Sequence, residues 1–232
     1  MQINTLKNYI IFNYFIYFKF VFLIFFTMKK IVILFFICFI PAFAQKSDLQ
    51  KAYDAYQNGY YKESSELYTS IINFNPNYLP AYFARGVCYL NMQEFEKAEA
   101  DFSKVLAKNP EDFNALLGRG VAYRNMKKYN EALRDLTHCI KINPSSYQAY
   151  YERANVYYNL EQDINALADY NKAIELKNDY DVAYYGRALI YYFQKEDKLA
   201  IKDFETFLSM HKTQDTLFKD ANRILKYLKD MQ

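Results

Sequence analysis

Two residue types recur in this chain at a spacing that could do chemistry. Arg85, Arg119, Arg153 and Arg187 lie 34 residues apart, and Asp101, Asp135, Asp169 and Asp203 follow them, each by 16. Around the third arginine the stretch Ala149–Tyr158 reads AYYERANVYY, with one arginine and one glutamate among four tyrosines. Such a set could hold a ligand carboxylate, cage a cation in aromatic rings, or join two helices through a planar guanidinium fork. The distribution of the two columns favours the last. The preceding unit has Lys51 and Leu67 at the two positions, so both partners are missing together. If each aspartate met the arginine of the following unit, Arg85 would face Leu67 and Asp203 would have no partner. Pairing inside a unit leaves none over. Four ion pairs, Arg85–Asp101, Arg119–Asp135, Arg153–Asp169 and Arg187–Asp203, are therefore expected to be structural, partly buried and setting register more than adding net stability.

Other reactive residues are sparse. There is no Gly-rich phosphate loop, no His-Glu-x-x-His and no Gly-x-Ser-x-Gly. His138 neighbours Cys139, but adjacent residues on a helix point about 100° apart and make no nucleophile–base pair. Cys88 and Cys139 lie 51 residues apart, without a Cys-x-x-Cys pair or a histidine at ligand spacing. Both read as small buried hydrophobes. No catalytic residue, metal or cofactor is expected.

Five glycines and five prolines in 232 residues leave little turn material for an all-β fold. The net charge of +3 is unevenly placed. Residues 1–44 hold Lys7, Lys19, Lys29 and Lys30 and no acid; without them the 29 basic residues fall to 25 against 26 acidic, a net of −1. That body lacks the basic excess needed to neutralise phosphates, so nucleic acid is an unsuitable partner.

The segment 28–44 continued to Gln45, MKKIVILFFICFIPAFAQ, has a basic start, an apolar run over Ile31–Ile40 and an Ala42-Phe43-Ala44 cleavage signal. It reads as a secretory signal peptide, cut after Ala44. Residues 1–27 read as a false start upstream of Met28, being almost wholly Phe, Ile, Tyr, Asn, Lys and Leu. The alternative is a retained membrane anchor over Tyr9–Phe26, interrupted by Asn13 and Lys19.

The elements that carry the two columns repeat with them. AYFARGVCYL, ALLGRGVAYR, AYYERANVYY and AYYGRALIYY begin at Ala81, Ala115, Ala149 and Ala183, without insertion or deletion, and a weaker copy begins near Ser47. Five units follow, at about 45–78, 79–112, 113–146, 147–180 and 181–214, each reading as two amphipathic helices. Asn-Pro closes the first three units at Pro76, Pro110 and Pro144, whereas Asn178 and Lys212 stand at the ends of the last two. Small columns (Ala52, Gly86, Gly120, Ala154, Ala188; and Ser64, Ala98, Ala132, Ala166, Ala200) let paired helices approach. Bulky columns are expected to fill the core: Tyr82, Leu116, Tyr150, Tyr184; Tyr89, Tyr123, Tyr157, Tyr191; and Tyr68, Phe102, Leu136, Tyr170, Phe204. Residues 215–232 place Leu217, Phe218, Ala221, Ile224, Leu225 and Leu228 on one stripe, as a capping helix requires.

This period, with its small and aromatic columns and closing proline, resembles a tetratricopeptide repeat array over roughly residues 45–214. The resemblance implies an all-α, right-handed superhelix (an α-solenoid) of about five helix-turn-helix repeats, in which the first helices line a concave groove for a peptide or partner helix. Carried over by position, the groove residues are Leu49, Tyr53 and Tyr56; Phe83, Val87 and Leu90; Leu117, Val121 and Arg124; Tyr151, Asn155 and Tyr158; and Tyr185, Leu189 and Tyr192, with Asn125 and Asn159 at the edge. The lysines of the family subtype that grips a C-terminal carboxylate are absent, since Phe83, Leu117 and Tyr151 stand in their places. The expectation is a non-catalytic, exported interaction module or scaffold in the periplasm or cell envelope of a Gram-negative bacterium. Its ligand would be a protein or peptide. The alternatives are the same array anchored in the membrane, and a cell-wall or carbohydrate binder using the tyrosine-rich face.

Overall fold

A computed structural model describes residues 48–231. The expected leader and upstream extension fall outside these residues. Helical stripes rich in Ala, Leu, Lys and Glu form eleven helices among the described residues, without a strand. They are α1 (described over 48–57), α2 (Tyr61–Phe74), α3 (Leu79–Asn91), α4 (Phe95–Leu106), α5 (Phe113–Asn125), α6 (Tyr129–Ile142), α7 (Tyr147–Asn159), α8 (Asp163–Leu176), α9 (Asp181–Phe193), α10 (Asp197–Met210) and α11 (Thr216–Asp230). From α2 onward each helix packs on the next, and α3, α5, α7 and α9 also touch one another in succession. The result is an α-solenoid whose first helices form one continuous face.

Close approach inside each pair follows from the small columns. Ala52, Ala98, Ala132, Ala154, Ala166, Ala188 and Ala200 have no exposed surface, and neither does Ser64, whose hydroxyl donates to the Ala52 carbonyl at 2.7 Å. Phe102, Leu136, Tyr170 and Phe204 fill the remaining space from the second helices. Leu116 is buried with them, whereas Tyr82, Tyr150 and Tyr184, and Tyr89, Tyr123, Tyr157 and Tyr191, pack against the core clusters from the edge. They are only half-buried. Their hydroxyls need a hydrogen-bond partner, and three of them reach one in the protein: Tyr82 donates to the Pro76 carbonyl, Tyr184 to that of Asn178 and Tyr123 to Glu99 Oε1.

Successive units are fitted to each other at a column that shows no clear pattern in the sequence. A Cβ on Gly118 would stand 2.6 Å from the Phe102 ring of the preceding unit, and one on Gly186 would stand 2.6 Å from Tyr170. Where the preceding unit carries the smaller Leu136, the equivalent position holds Glu152.

The turn inside each unit also repeats. Gly59, Gln93, Lys127, Glu161 and Lys195, each 34 residues from the next, have φ of 78°, 61°, 60°, 57° and 60°. Only the first is glycine, the residue that adopts this left-handed geometry without strain. Between units, the side chains of Asp112 and Ser146 cap α5 and α7 by accepting from the Ala115 and Ala149 backbone N–H groups.

At the end of the array α11 packs on α10, burying Ala221, Ile224 and Leu228 against Ala188, Ala200, Phe204 and Phe207. Lys219, Arg223, Lys226 and Lys229 remain on its exposed side.

Candidate partner-binding surface

The arginine column is a brace within units and between them. In all four cases Nε and Nη2 donate to the two carboxylate oxygens of the aspartate 16 residues on, at 2.6–3.0 Å. The free Nη1 reaches backward to the second helix of the preceding unit. Arg85 donates to Thr69 Oγ1 (2.9 Å), Arg119 to Ser103 Oγ (3.0 Å), Arg153 to Thr137 Oγ1 (3.2 Å) and Arg187 to Asn171 Oδ1 (2.6 Å). The next member of that accepting column, Glu205, takes Lys229 Nζ of α11 at 2.6 Å. Tyrosines bracket the guanidinium: Arg153 Cζ lies 5.7 Å from the Tyr150 ring and 5.8 Å from Tyr157. In the first pair, burial pushes the Asp101 carboxyl up, whereas the hydrogen bond to Asp101 pushes the Arg85 guanidinium up. The bidentate geometry decides for the ion pair, because a protonated carboxyl could not accept both N–H groups.

The positions carried onto the continuous face divide into two sets. One set is engaged by the scaffold. Phe83 packs on Phe102 (centroids 5.7 Å), Tyr151 on Tyr170 (6.0 Å) and Tyr180 (5.2 Å), and Tyr185 on Phe204 (5.9 Å) and Phe207 (5.2 Å). The Tyr185 hydroxyl donates to Asp220 Oδ2 of α11 at 2.9 Å, and Asn155 Oδ1 accepts from the buried Tyr170 hydroxyl at 2.6 Å. Leu117, Leu189 and Tyr192 pack partly buried against core clusters. Arg124 Nε lies 3.2 Å from Glu152 Oε2, an ion pair without the alignment of a hydrogen bond. Burial pushes the Glu152 carboxyl up.

The other set is open. Tyr53 is 51% exposed and Asn125 and Asn159 are exposed, while Val87 and Tyr158 are half-buried along the same face and pack in part against the core clusters. Tyr56 is half-buried beside Tyr61, at 5.6 Å. Asn125 Nδ2 donates to the Val121 carbonyl at 2.8 Å, and Asn91 repeats this with Val87 at 2.9 Å, fixing each amide on its helix. Phe83 also borders a surface pocket with Leu79, Pro80, Val105, Asn109 and Asn114.

Sequence reasoning missed the backward arm of the arginines, the Arg124–Glu152 pair and the Tyr185–Asp220 bond. The accepting column Thr69, Ser103, Thr137 and Asn171 was legible as short polar residues at the 34-residue period. Among the described residues no His, Cys, Asp or Glu group is arranged to hold a metal ion, and no helix is long and apolar enough to cross a membrane.

A family profile described as tetratricopeptide repeat matches residues 80–112 and 113–146, and a second of the same description matches 147–180. Those three units are tetratricopeptide repeats. Solved structures share the fold. A tetratricopeptide repeat protein from Parabacteroides merdae is 25% identical with a TM-score of 0.64, covering 78% of this chain and 70% of that one. TTC0263, a thermophilic TPR protein of Thermus thermophilus, is 18% identical with a TM-score of 0.67, over 78% and 99%. MamA from Desulfovibrio magneticus is 20% identical with a TM-score of 0.64, over 74% and 97%. At these last two identities the likeness is one of fold. Among curated proteins, none matches the sequence. Repeats of this kind generally mediate protein–protein contact, and the helix pairs on either side, α1–α2 and α9–α10, extend the same face.

Proposed function

We propose that this array is a non-catalytic binding module that holds a segment of a partner protein along the face of α1, α3, α5, α7 and α9. The observation that carries the reading is the continuity of the α3, α5, α7 and α9 face, against which α1 packs, with Tyr53 and the asparagines at 125 and 159 exposed along it and Val87 and Tyr158 half-buried. Tyrosine offers contact area at low entropic cost, and asparagine offers a donor and an acceptor to a partner backbone. The protein is exported through the leader at residues 28–44 and works in the periplasm or cell envelope.

Photo-crosslinking from position 125 or 158 in the exported protein tests the face. A defined partner peptide is expected to be captured and lost when Tyr53→Ala and Tyr158→Ala are combined. If both substitutions leave capture unchanged, the face is not the binding surface. Tyr151 and Tyr185 are unsuited to this test, because their rings pack on Tyr170, Tyr180, Phe204 and Phe207. N-terminal sequencing of the secreted chain tests export, with Gln45 expected first.

A further inference from the structure

His211 stands where three elements meet. It follows α10, and its ring stacks on Phe207 of that helix, with centroids 4.6 Å apart at 27°. Nδ1 lies 2.6 Å from Asp181 Oδ2 at the start of α9. Nε2 lies 3.2 Å from Asp215 Oδ2 and 2.9 Å from Thr213 Oγ1. Asp215 is the N-cap of α11, its Oδ1 accepting from the Phe218 N–H at 3.1 Å. The imidazole is 11% exposed.

Both ring nitrogens therefore face carboxylate oxygens, which accept and do not donate. Only imidazolium carries a proton on each nitrogen. Neutral imidazole keeps one, and the shorter contact assigns it to Nδ1 and Asp181. Nε2 then presents a lone pair to Asp215, and the Thr213 hydroxyl turns from Asp215 to donate to it. The link from α10 to the α11 cap is lost while the link to α9 stays.

We propose that His211 is a proton-operated latch that fastens α11 to the last repeat when charged and loosens it when neutral. The charged groups that face the ring are Asp181 from α9 and Asp215 from α11; α10 contributes the uncharged Phe207 and the linker Thr213. The Asp181 hydrogen bond, followed by the Asp215 contacts, raises the histidine above its usual 6.5. A raised histidine stabilises fully below pH 6.5 and loses that contribution as pH climbs through the higher folded value. Asp215 is held below its usual 3.8, first by the Phe218 N–H and then by His211. The latch is thus closed throughout the range from pH 3.8 to pH 6.5 and opens as pH climbs through the raised folded value of the histidine. Because Tyr185 donates to Asp220 of α11, loosening the helix also frees the Tyr185 hydroxyl at the end of the proposed binding face, while its ring stays on Phe204 and Phe207. That consequence rests on the function proposed above; the latch does not.

Hydrogen exchange of the α11 amides, without any partner and corrected for intrinsic exchange, tests the latch alone. Protection of Ala221, Ile224 and Leu228 is expected to be roughly threefold greater at pH 5.5 than at pH 8.5, the scale of a partly exposed ion pair. His211→Gln should abolish the difference, and His138→Gln should leave it. Asp215→Asn, which retains an N-cap acceptor, should flatten the difference and serves if His211→Gln fails to fold. Equal protection at both pH values in the parent protein, or a full difference surviving in Asp215→Asn, overturns the proposal.

Discussion

The ring of Phe102 fills the space that a side chain on Gly118 would need, with the Cβ position 2.6 Å from the ring edge. Gly118→Ala must therefore displace a fully buried aromatic, and overpacking of this kind costs about 1–3 kcal/mol. Combining it with Phe102→Leu should cost less than the sum of the two single changes, because the smaller residue makes room. Urea unfolding of the four proteins of the cycle measures the coupling.

The left-handed turn column gives a prediction of opposite sign. Lys127 holds φ at 60°, a geometry that strains residues other than glycine by roughly 1–2 kcal/mol. Lys127→Gly removes that strain but frees the unfolded chain, so a net gain of about 0.5–1 kcal/mol is expected. Gly59→Ala should do the reverse at the equivalent turn. Thermal unfolding of both variants checks the pair.

Arg153 makes two bonds to Asp169 and one to Thr137, between rings of Tyr150 and Tyr157. Lysine cannot reproduce that fork, and Arg153→Lys should destabilise by about 2–3 kcal/mol. Asp169→Leu alone should be worse, since it strands a partly buried guanidinium. Arg153→Met with Asp169→Leu should be milder than Asp169→Leu, as for buried pairs exchanged for apolar ones. Chemical denaturation orders the three.

Cys88 and Cys139 are wholly buried, and burial pushes the Cys139 thiol up to about 12. The thiolate is the reactive form. Neither residue should be alkylated at pH 8 in the native protein, and both should react at the rate of unfolding. Peptide-resolved mass spectrometry after iodoacetamide treatment measures this.

The parts legible in the sequence were those where one residue type recurs for one reason. The Arg–Asp pairs could be read from the joint absence of both partners at Lys51 and Leu67. The column Ala84, Gly118, Glu152, Gly186 was not readable in this way. Its residues answer to a neighbour one unit back, as Gly118 does to Phe102 and Gly186 to Tyr170. The depth of the tyrosines, which line the edge of the core and not its centre, was hidden for a related reason. Alternating small and large residues suggests filling, but a phenol beside a guanidinium is served better half-buried, as at Tyr150 and Tyr157. On the candidate surface, residue type alone could not separate Tyr53, which is open, from Tyr185, which packs on Phe207 and bonds to Asp220.

The contact of Lys229 with Glu205 places a helix with a charged outer side where another repeat would otherwise add its arginine. Stacked repeats are in principle open-ended, since each presents its successor with the surface it received. Here α11 occupies that surface over Phe204 and Phe207 and turns Lys219, Lys226 and Asn222 outward. The apolar surface that α10 would offer to a further helix is thereby closed from within the same chain.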